Sequence, residues 1–231
     1  MKRTLLSALI IALMILPLVP FSGCGDARPD FEEVIANAIK ATDEIQTYRI
    51  EIESNRIERG EAEGTSGWIE FVAPDRIHSI SRLLPENGSG EESIQIGTTI
   101  YARDINNDDW HVRDWNDERF AVCNIATGML HSFAELAGIK ELEDEKIDGV
   151  DCFHYIGGMK GQQEEQLASF EYARNDVEFW IGKDDHLLRQ YKTYMEIAED
   201  EDTKEVEYYS NITTCRLSNF NEPLVIEPPL D

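Results

Sequence analysis

Trp68-Ile69-Glu70-Phe71-Val72-Ala73-Pro74-Asp75-Arg76-Ile77 holds the end of one strand, a turn and the start of another. Ser66–Ala73 has the β-branched and aromatic content of a strand, and Arg76–Leu83 has it again. Between them Pro74-Asp75 supplies a turn, because proline presets φ and aspartate bonds its own backbone. Two short strands joined this closely must run antiparallel, since a parallel pair needs a crossover of a dozen residues or more.

The same pattern continues on both sides. Upstream, Tyr48, Ile50 and Ile52 alternate with Arg49, Glu51 and Glu53, which is a strand with one apolar and one wet face. Downstream, Ser93–Arg103 and Trp110–Arg113 are further strand candidates. Turn-forming pieces at Glu63-Gly64, Pro85 to Gly90 and Asp104 to Asp109 separate them, so the segment reads as an antiparallel meander.

A helix precedes the meander. Asp30 is placed to cap it with Glu33 three residues on, and Phe31, Val34, Ile35, Ala38, Ile39, Thr42 and Ile45 form one apolar stripe. A second helix is expected from about Glu118 to Ala137, ending at Gly138, with Phe120, Cys123, Thr127, Leu130, Phe133 and Ala137 on one side. Gly128 in its middle costs about 1 kcal/mol against alanine, so a break there is compatible with the pattern.

Strands then resume. Ile139–Ile147 and Val150–Ile156 flank Asp148-Gly149, a pair suited to a tight hairpin. Gln162 to Tyr172 reads equally as a short helix or a loop. Val177, Phe179 and Ile181 alternate, as do Leu187, Tyr191, Met195 and Ile197 after the Lys183-Asp184-Asp185 turn. Val206 to Leu217 is the last strand, and a proline-containing tail follows from Asn221 to Asp231. No repeat or linker divides these elements. The expectation is one α+β domain, residues 30–231, built on a single antiparallel sheet of about 10–11 strands with two helices.

The N-terminus predicts export. Lys2 and Arg3 give a positive start, no charge occurs from Thr4 to Gly25, and Leu5 to Leu16 is almost wholly apolar. Pro17 and Pro20 break any helix, and Ser22-Gly23 precedes Cys24. A cysteine after small residues at this point resembles the lipobox of bacterial lipoproteins, although Phe21 stands where leucine is usual. That resemblance implies a signal peptide over residues 1–23, a lipid on Cys24, a tether over 24–29, and attachment to the extracytoplasmic face of a bacterial membrane. Ordinary secretory cleavage and an uncleaved anchor are the competing readings; the prolines and the short apolar core oppose an anchor. Stable attachment needs two or more acyl chains, at about 0.8 kcal/mol per buried methylene.

The chain holds 46 acidic residues against 21 Lys and Arg, a formal charge of −25. Losing residues 1–23 removes only Lys2 and Arg3 from that count, giving −27 over 208 residues. Such a surface repels phosphate backbones and anionic lipid, which excludes nucleic acid as a partner. Besides Cys24 there are Cys123, Cys152 and Cys215. Cys152–Cys215 is the candidate disulfide, both lying in predicted strands, and free buried thiols are the alternative. The sequons at Asn87 and Asn211 carry no weight in a bacterial chain.

Several stretches begin like catalytic or metal motifs and fail at the positions that matter. Asp104-Ile105-Asn106-Asn107-Asp108 begins like a calcium loop, but Asp109 stands at the glycine position and Trp115 at the bidentate glutamate. Cys152 and His154 share a strand face without a second ligand pair, so no metal site is expected. Gly88-Ser89-Gly90 is not a nucleophile elbow, and His78, His111, His131, His154 and His186 are scattered. Neither an enzyme nor a cofactor is expected.

Three stretches resemble the LolA/LolB/LppX-type lipoprotein-carrier superfamily. They are the Trp68–Ile77 hairpin, the run Ile94 to Tyr101 followed by Trp110, and Val177 to Arg189 with its Gly182-Lys183-Asp184-Asp185 turn. The ending Phe220-Asn221-Glu222-Pro223 with Ile226-Glu227-Pro228-Pro229 is similar too. The resemblance implies an unclosed, strongly curved half-barrel whose concave face is lidded by helices over an apolar cavity that accepts an acyl chain or lipid.

From the residues alone, each strand has one apolar face, and two helices cover only part of so wide a sheet. The rest must be packed side chains or an apolar ligand. Candidate ligand contacts are Tyr48, Ile50, Ile52, Ile69, Phe71, Ile94, Ile96, Phe179, Ile181, Tyr191 and Met195. The first functional expectation is a lipid-anchored carrier or receptor for an acyl chain. The alternative is an interaction or sensor module whose sheet meets another envelope protein.

Overall fold

A computed structural model describes residues 28–58, 60–84, 89–114, 124–159, 170–200 and 209–229. Cys24, Phe120, Cys123 and the ambiguous stretch up to residue 169 lie outside the described residues. The folded body begins at Phe31.

Helix α1 (Phe31–Asp43) opens the body. The first meander follows as β1 (Thr47–Glu58), β2 (Glu61–Val72), β3 (Arg76–Leu84), β4 (Gly90–Ile96), β5 (Thr99–Asp104) and β6 (His111–Asp114). Helix α2 (Ile125–Ala134) leads to β7 (Ala137–Glu141), β8 (Glu145–Ile147) and β9 (Val150–Gly158). The long strands β10 (Phe170–Gly182), β11 (Leu188–Asp200) and β12 (Tyr209–Ser218) complete it.

All described strands join one antiparallel 12-stranded sheet, in the order β6-β5-β4-β3-β2-β1-β12-β11-β10-β9-β7, with β8 also on β9. The first strand and the last meet in its middle, Ile50 opposite Leu217 and Ile52 opposite Cys215. The two meanders therefore fan out from one long-range seam into an unclosed, curved half-barrel with the helices on its concave face.

Four boundaries differ from the sequence reading. Glu63-Gly64, expected as a turn, lies inside β2 opposite Arg56 and Asn55, because β1 and β2 run on to Glu58 and Glu61 before the chain reverses. Ser93–Arg103 is a hairpin rather than one strand, folded at Gly97, whose φ of +58° suits a residue without Cβ. The stretch expected to run from 139 to 147 is split into β7 and β8, both on β9, which raises the strand count to 12. Helix α2 stops at Ala134, because the Glu135 N–H turns back to Phe133 O and Ser132 O and Ala137 already pairs with Gly158.

The Cys152–Cys215 disulfide does not form; both cysteines are free and buried. Cys152 on β9 and Cys215 on β12 are separated by β10 and β11, about 14 Å at normal strand spacing. Cys152 pairs with Gly182 and Cys215 with Tyr191, registers that place the two thiols on opposite faces. A disulfide needs Cα atoms within roughly 7 Å and converging side chains.

Candidate functional site

The helix-covered face is assembled from cross-strand rows. One row runs Ile52–Cys215–Tyr191–Phe179–Tyr155 across β1, β12, β11, β10 and β9. Beside it lie Ile50 opposite Leu217 and Ile69, and Tyr48 opposite Phe71. Helix α1 presses Val34, Ile35 and Ala38 onto this floor, and α2 adds Ala126, Leu130 and Phe133. Aromatic rings fill the space between. Phe133 stacks on Phe179 at 4.8 Å, Tyr155 on Phe179 at 5.5 Å, and Tyr48 on Phe71 at 4.9 Å.

Asn124 ties the lid to the sheet. Its Oδ1 caps α2 by accepting from Thr127 N at 3.3 Å and also accepts from the Tyr48 hydroxyl at 3.1 Å. Its Nδ2 donates to Thr42 O at the end of α1, while the Tyr48 hydroxyl accepts from Ala126 N. One side chain thus holds both helices against β1. The Tyr191 hydroxyl is pushed far up by burial, with Cys215 beside it, and the Cys215 thiol is pushed up by the same burial. Neither ionises near neutral pH, so this region is apolar in effect.

Of the predicted contacts, Tyr48, Ile50, Ile52, Ile69, Phe71, Phe179, Ile181, Tyr191 and Met195 share the concave face. Tyr48, Ile50, Phe71, Phe179 and Ile181 are at 2% exposure or less, packed into the protein's own core. Ile94 and Ile96 are not brought to them. Ile94 pairs with His78 and Ile96 with Arg76, both on the convex side, and Ile94 is buried outside the main core cluster. There Arg76 Nη1 donates to Ile226 O at 2.5 Å and pins the C-terminal tail.

Outside the helix-covered rows the described concave face is mixed, polar side chains standing beside Leu83 and Ile100, against the expectation of a uniformly apolar surplus. Thr65, Ser54, Thr213 and Thr193 form a hydroxyl row, with Ser54 Oγ 2.9 Å from Thr213 Oγ1 and 2.8 Å from Asn211 Oδ1. On β3 and β4, Ser79 and Ser93 face each other at 2.8 Å. Over β4–β6 the face opens into a trough of about 390 Å³ lined by Glu91, Ser93, Gln95, Ile100, Ala102, Arg103, Asp104, His111 and Arg113. The sequence held the signal for this: Ser79, Ser93 and Gln95 alternate with Ile80, Ile94 and Ile96, but alternation does not say which side is inside.

The convex face carries two similarly built clusters. Trp68 meets His78 edge-on at 4.8 Å, His78 Nε2 lies 2.8 Å from Glu92 Oε1, and Arg49 covers the Trp68 ring. On the other half Trp180 stacks on His154 at 4.3 Å, His154 Nε2 lies 2.8 Å from Glu178 Oε1, and Lys192 covers Trp180. Burial pushes the Glu92 carboxyl up, but hydrogen bonds and charge from Arg103 and His78 outweigh it and hold it below its ordinary range. Burial and the Glu178 carboxylate push the Tyr194 hydroxyl up to about 12. These clusters are satisfied within themselves and brace the sheet from outside.

Asp104 to Asp109 is the solvated turn its composition predicted: Asp104 Oδ1 accepts from Asn106 N and Asn107 Oδ1 from Asp109 N.

No family model matches the chain, and no curated protein matches it. Among solved structures its fold is similar to that of the lipoprotein LppX of Mycobacterium tuberculosis, with TM-score 0.52 and 14% identity over 87% of this chain and 100% of that one. It is similar likewise to LprF of Mycobacterium bovis, with TM-score 0.51 and 12% identity over 86% of this chain and 96% of that one. The likeness is one of fold: the chain shares the half-barrel architecture of LppX and LprF.

Proposed function

We propose that this chain is an extracytoplasmic lipoprotein, anchored through Cys24, whose half-barrel shelters an acyl chain or lipid beneath its two helices. The observation that carries the reading is the lid itself. Helices of 13 and 10 residues, about 20 Å and 15 Å long, lie on an unclosed sheet of 12 strands and shield its apolar rows. The ligand region is the row from Tyr48 and Phe71 to Phe179 and Tyr191, and an acyl chain enters by displacing the rings and helices that fill it. That requires differential affinity for the opened state, which apolar contact along a whole chain supplies.

The test uses residues 25–231, which excludes the anchor lipid. Mass spectrometry of extracts and titration with a fluorescent fatty acid are expected to show co-purified lipid or stoichiometric uptake. A folded protein that carries none and takes up none overturns the reading. Separately, Cys24→Ser is expected to move the full-length protein from the membrane fraction to the soluble one; unchanged membrane retention removes the anchor.

The tight ring packing at Phe179 and Phe133 favours one alternative, an interaction module with a permanently filled core. Cross-linking in the native membrane separates the two, because only that alternative yields a stoichiometric protein partner without bound lipid.

A further inference from the structure

The two helices of the lid are held in different ways. Helix α1 is fixed to the sheet at its C-terminal end by the chain itself and by the C-terminal tail. Gln46 N donates to Asn221 Oδ1 at 2.8 Å, Gln46 O accepts from Ala73 N at 2.8 Å, and Thr47 Oγ1 donates to Glu222 O at 2.7 Å. Its first residue, Phe31, meets Tyr155 edge-on at 5.4 Å. Helix α2 is tied at its N-terminal end. There Asn124 bonds the Tyr48 hydroxyl and Thr42 O, Ala126 N donates to that hydroxyl, and Thr127 Oγ1 donates to Asp43 Oδ1 at 2.9 Å. Its C-terminal end passes through Glu135-Leu136 straight into β7, which is paired with β9. That end of α2 is a covalent hinge, and the N-terminal end is a polar latch.

Between hinge and latch the helix is weakly built. Its 10 residues are too few to keep helical shape without tertiary support. Glycine inside a helix is explained by close packing or by a positive φ, and Gly128 has neither. It is exposed, and a Cβ there would meet no atom of the described residues within 4 Å. It lowers helix propensity with no packing gain. Ser132 Oγ donates to Gly128 O at 3.2 Å, a back-bond that competes with the helix ladder. This same helix carries Phe133, whose ring stacks on Phe179 at 4.8 Å and meets Tyr191 at 5.7 Å.

We propose that α2 is the moving leaf of the lid and α1 its fixed frame. When the Asn124–Tyr48 latch parts, α2 turns about Glu135-Leu136 and withdraws Phe133 from Phe179 and Tyr191, which uncovers the aromatic end of the apolar rows. The latch is suited to reversible parting. Its donors and acceptors are backbone, hydroxyl and amide groups, which water can satisfy once exposed. The uncovered rings find a substitute for Phe133 only in an apolar ligand. Cargo therefore holds the leaf open through Phe179 and Tyr191, and the latch sets how rarely it opens without cargo. The nature of the cargo rests on the acyl-chain reading, whereas the motion of α2 does not.

Native-state hydrogen exchange on residues 25–231, read separately for α1, α2 and the strands β10 and β11, tests the motion without ligand. Amides of α2 are expected to exchange about tenfold faster than those of α1 and the strands, or more. Asn124→Ala and Tyr48→Phe are each expected to speed α2 about tenfold further and to leave β10 and β11 unchanged. Gly128→Ala is expected to slow α2 about fivefold. Exchange of both helices at one common rate, or a Gly128→Ala protein whose α2 is no slower, overturns the moving leaf. Uptake of a fluorescent fatty acid then tests the route. Its rate is expected to rise in Asn124→Ala and Tyr48→Phe and to fall in Gly128→Ala. Uptake rates unmoved in variants whose α2 exchange has changed overturn α2 as the way in. Absence of uptake by every variant, with α2 exchange still ordered as expected, sinks the acyl-chain reading and leaves the moving leaf standing.

Discussion

The two halves of the concave face solve the same burial problem differently. Under α1 and α2, rows of Tyr, Phe, Ile and Leu are closed over by helices, and the stacked rings leave side chains such as Phe179 and Tyr155 without solvent contact. Over β3–β6 the inner side carries Ser79, Ser93, Gln95 and Ala102 beside Ile77, Leu83 and Ile100, while Ile80, Ile94 and Ile96 point to the convex side. A sheet needs a lid only where its face is apolar; where hydroxyls line it, water or a polar ligand suffices. The covered half behaves as a core, and the open half stays in contact with solvent.

The largest effect expected from this contrast is in the core. Phe179→Ala removes a ring with no exposure that touches Phe133 and Tyr155, and should cost about 3–5 kcal/mol in urea unfolding. A cost under about 1 kcal/mol would mean the lid is not packed on the sheet.

Next comes the bend between the halves. A Cβ on Gly67 would lie 2.1 Å from Ile80 O, a backbone atom that cannot step aside, so Gly67→Ala should destabilise by about 1–3 kcal/mol. A neutral result would show that β2 and β3 are not pressed together there.

A smaller effect, dependent on pH, belongs to the convex brace of the open half. Glu92 is held below its ordinary range, so its contribution to stability is present above about pH 4.3 and is lost as pH falls through the lowered value. Glu92→Gln should therefore lower the urea midpoint at neutral pH and converge with wild type in acid. Parallel curves at all pH values would remove the Arg103–Glu92–His78 cluster as a stabilising element.

The smallest effect should be on the open floor. Ser93→Ala loses the Ser79 hydrogen bond where solvent can replace it, and should change stability by no more than about 0.5 kcal/mol. A loss comparable with that of Phe179→Ala would erase the distinction between the halves.

Much of the fold was readable from local pattern. Pro74-Asp75 and Asp148-Gly149 marked their turns, the 3.6-residue stripe from Phe31 to Thr42 marked α1, and the alternation at Tyr48–Ile52 marked β1 together with its inner side. Short-range turn chemistry and side-chain periodicity are written along the chain, so these needed no neighbours. The single meandering sheet and its α+β class follow from the same signals.

Partnering across the sheet was not readable. That β1 pairs with β12, that two strands lie between Cys152 and Cys215, and that Ser93 rather than Ile94 faces inward depend on contacts over long sequence distances. An alternating strand specifies two faces and leaves their assignment to whatever covers each one. On β4 the convex side is served by the C-terminal tail and the Trp68–His78–Glu92 cluster, so the isoleucines go outward and the hydroxyls go in. Sequence determined which residues form strands and helices, and tertiary structure alone decided which strand faces became core and which became the open trough.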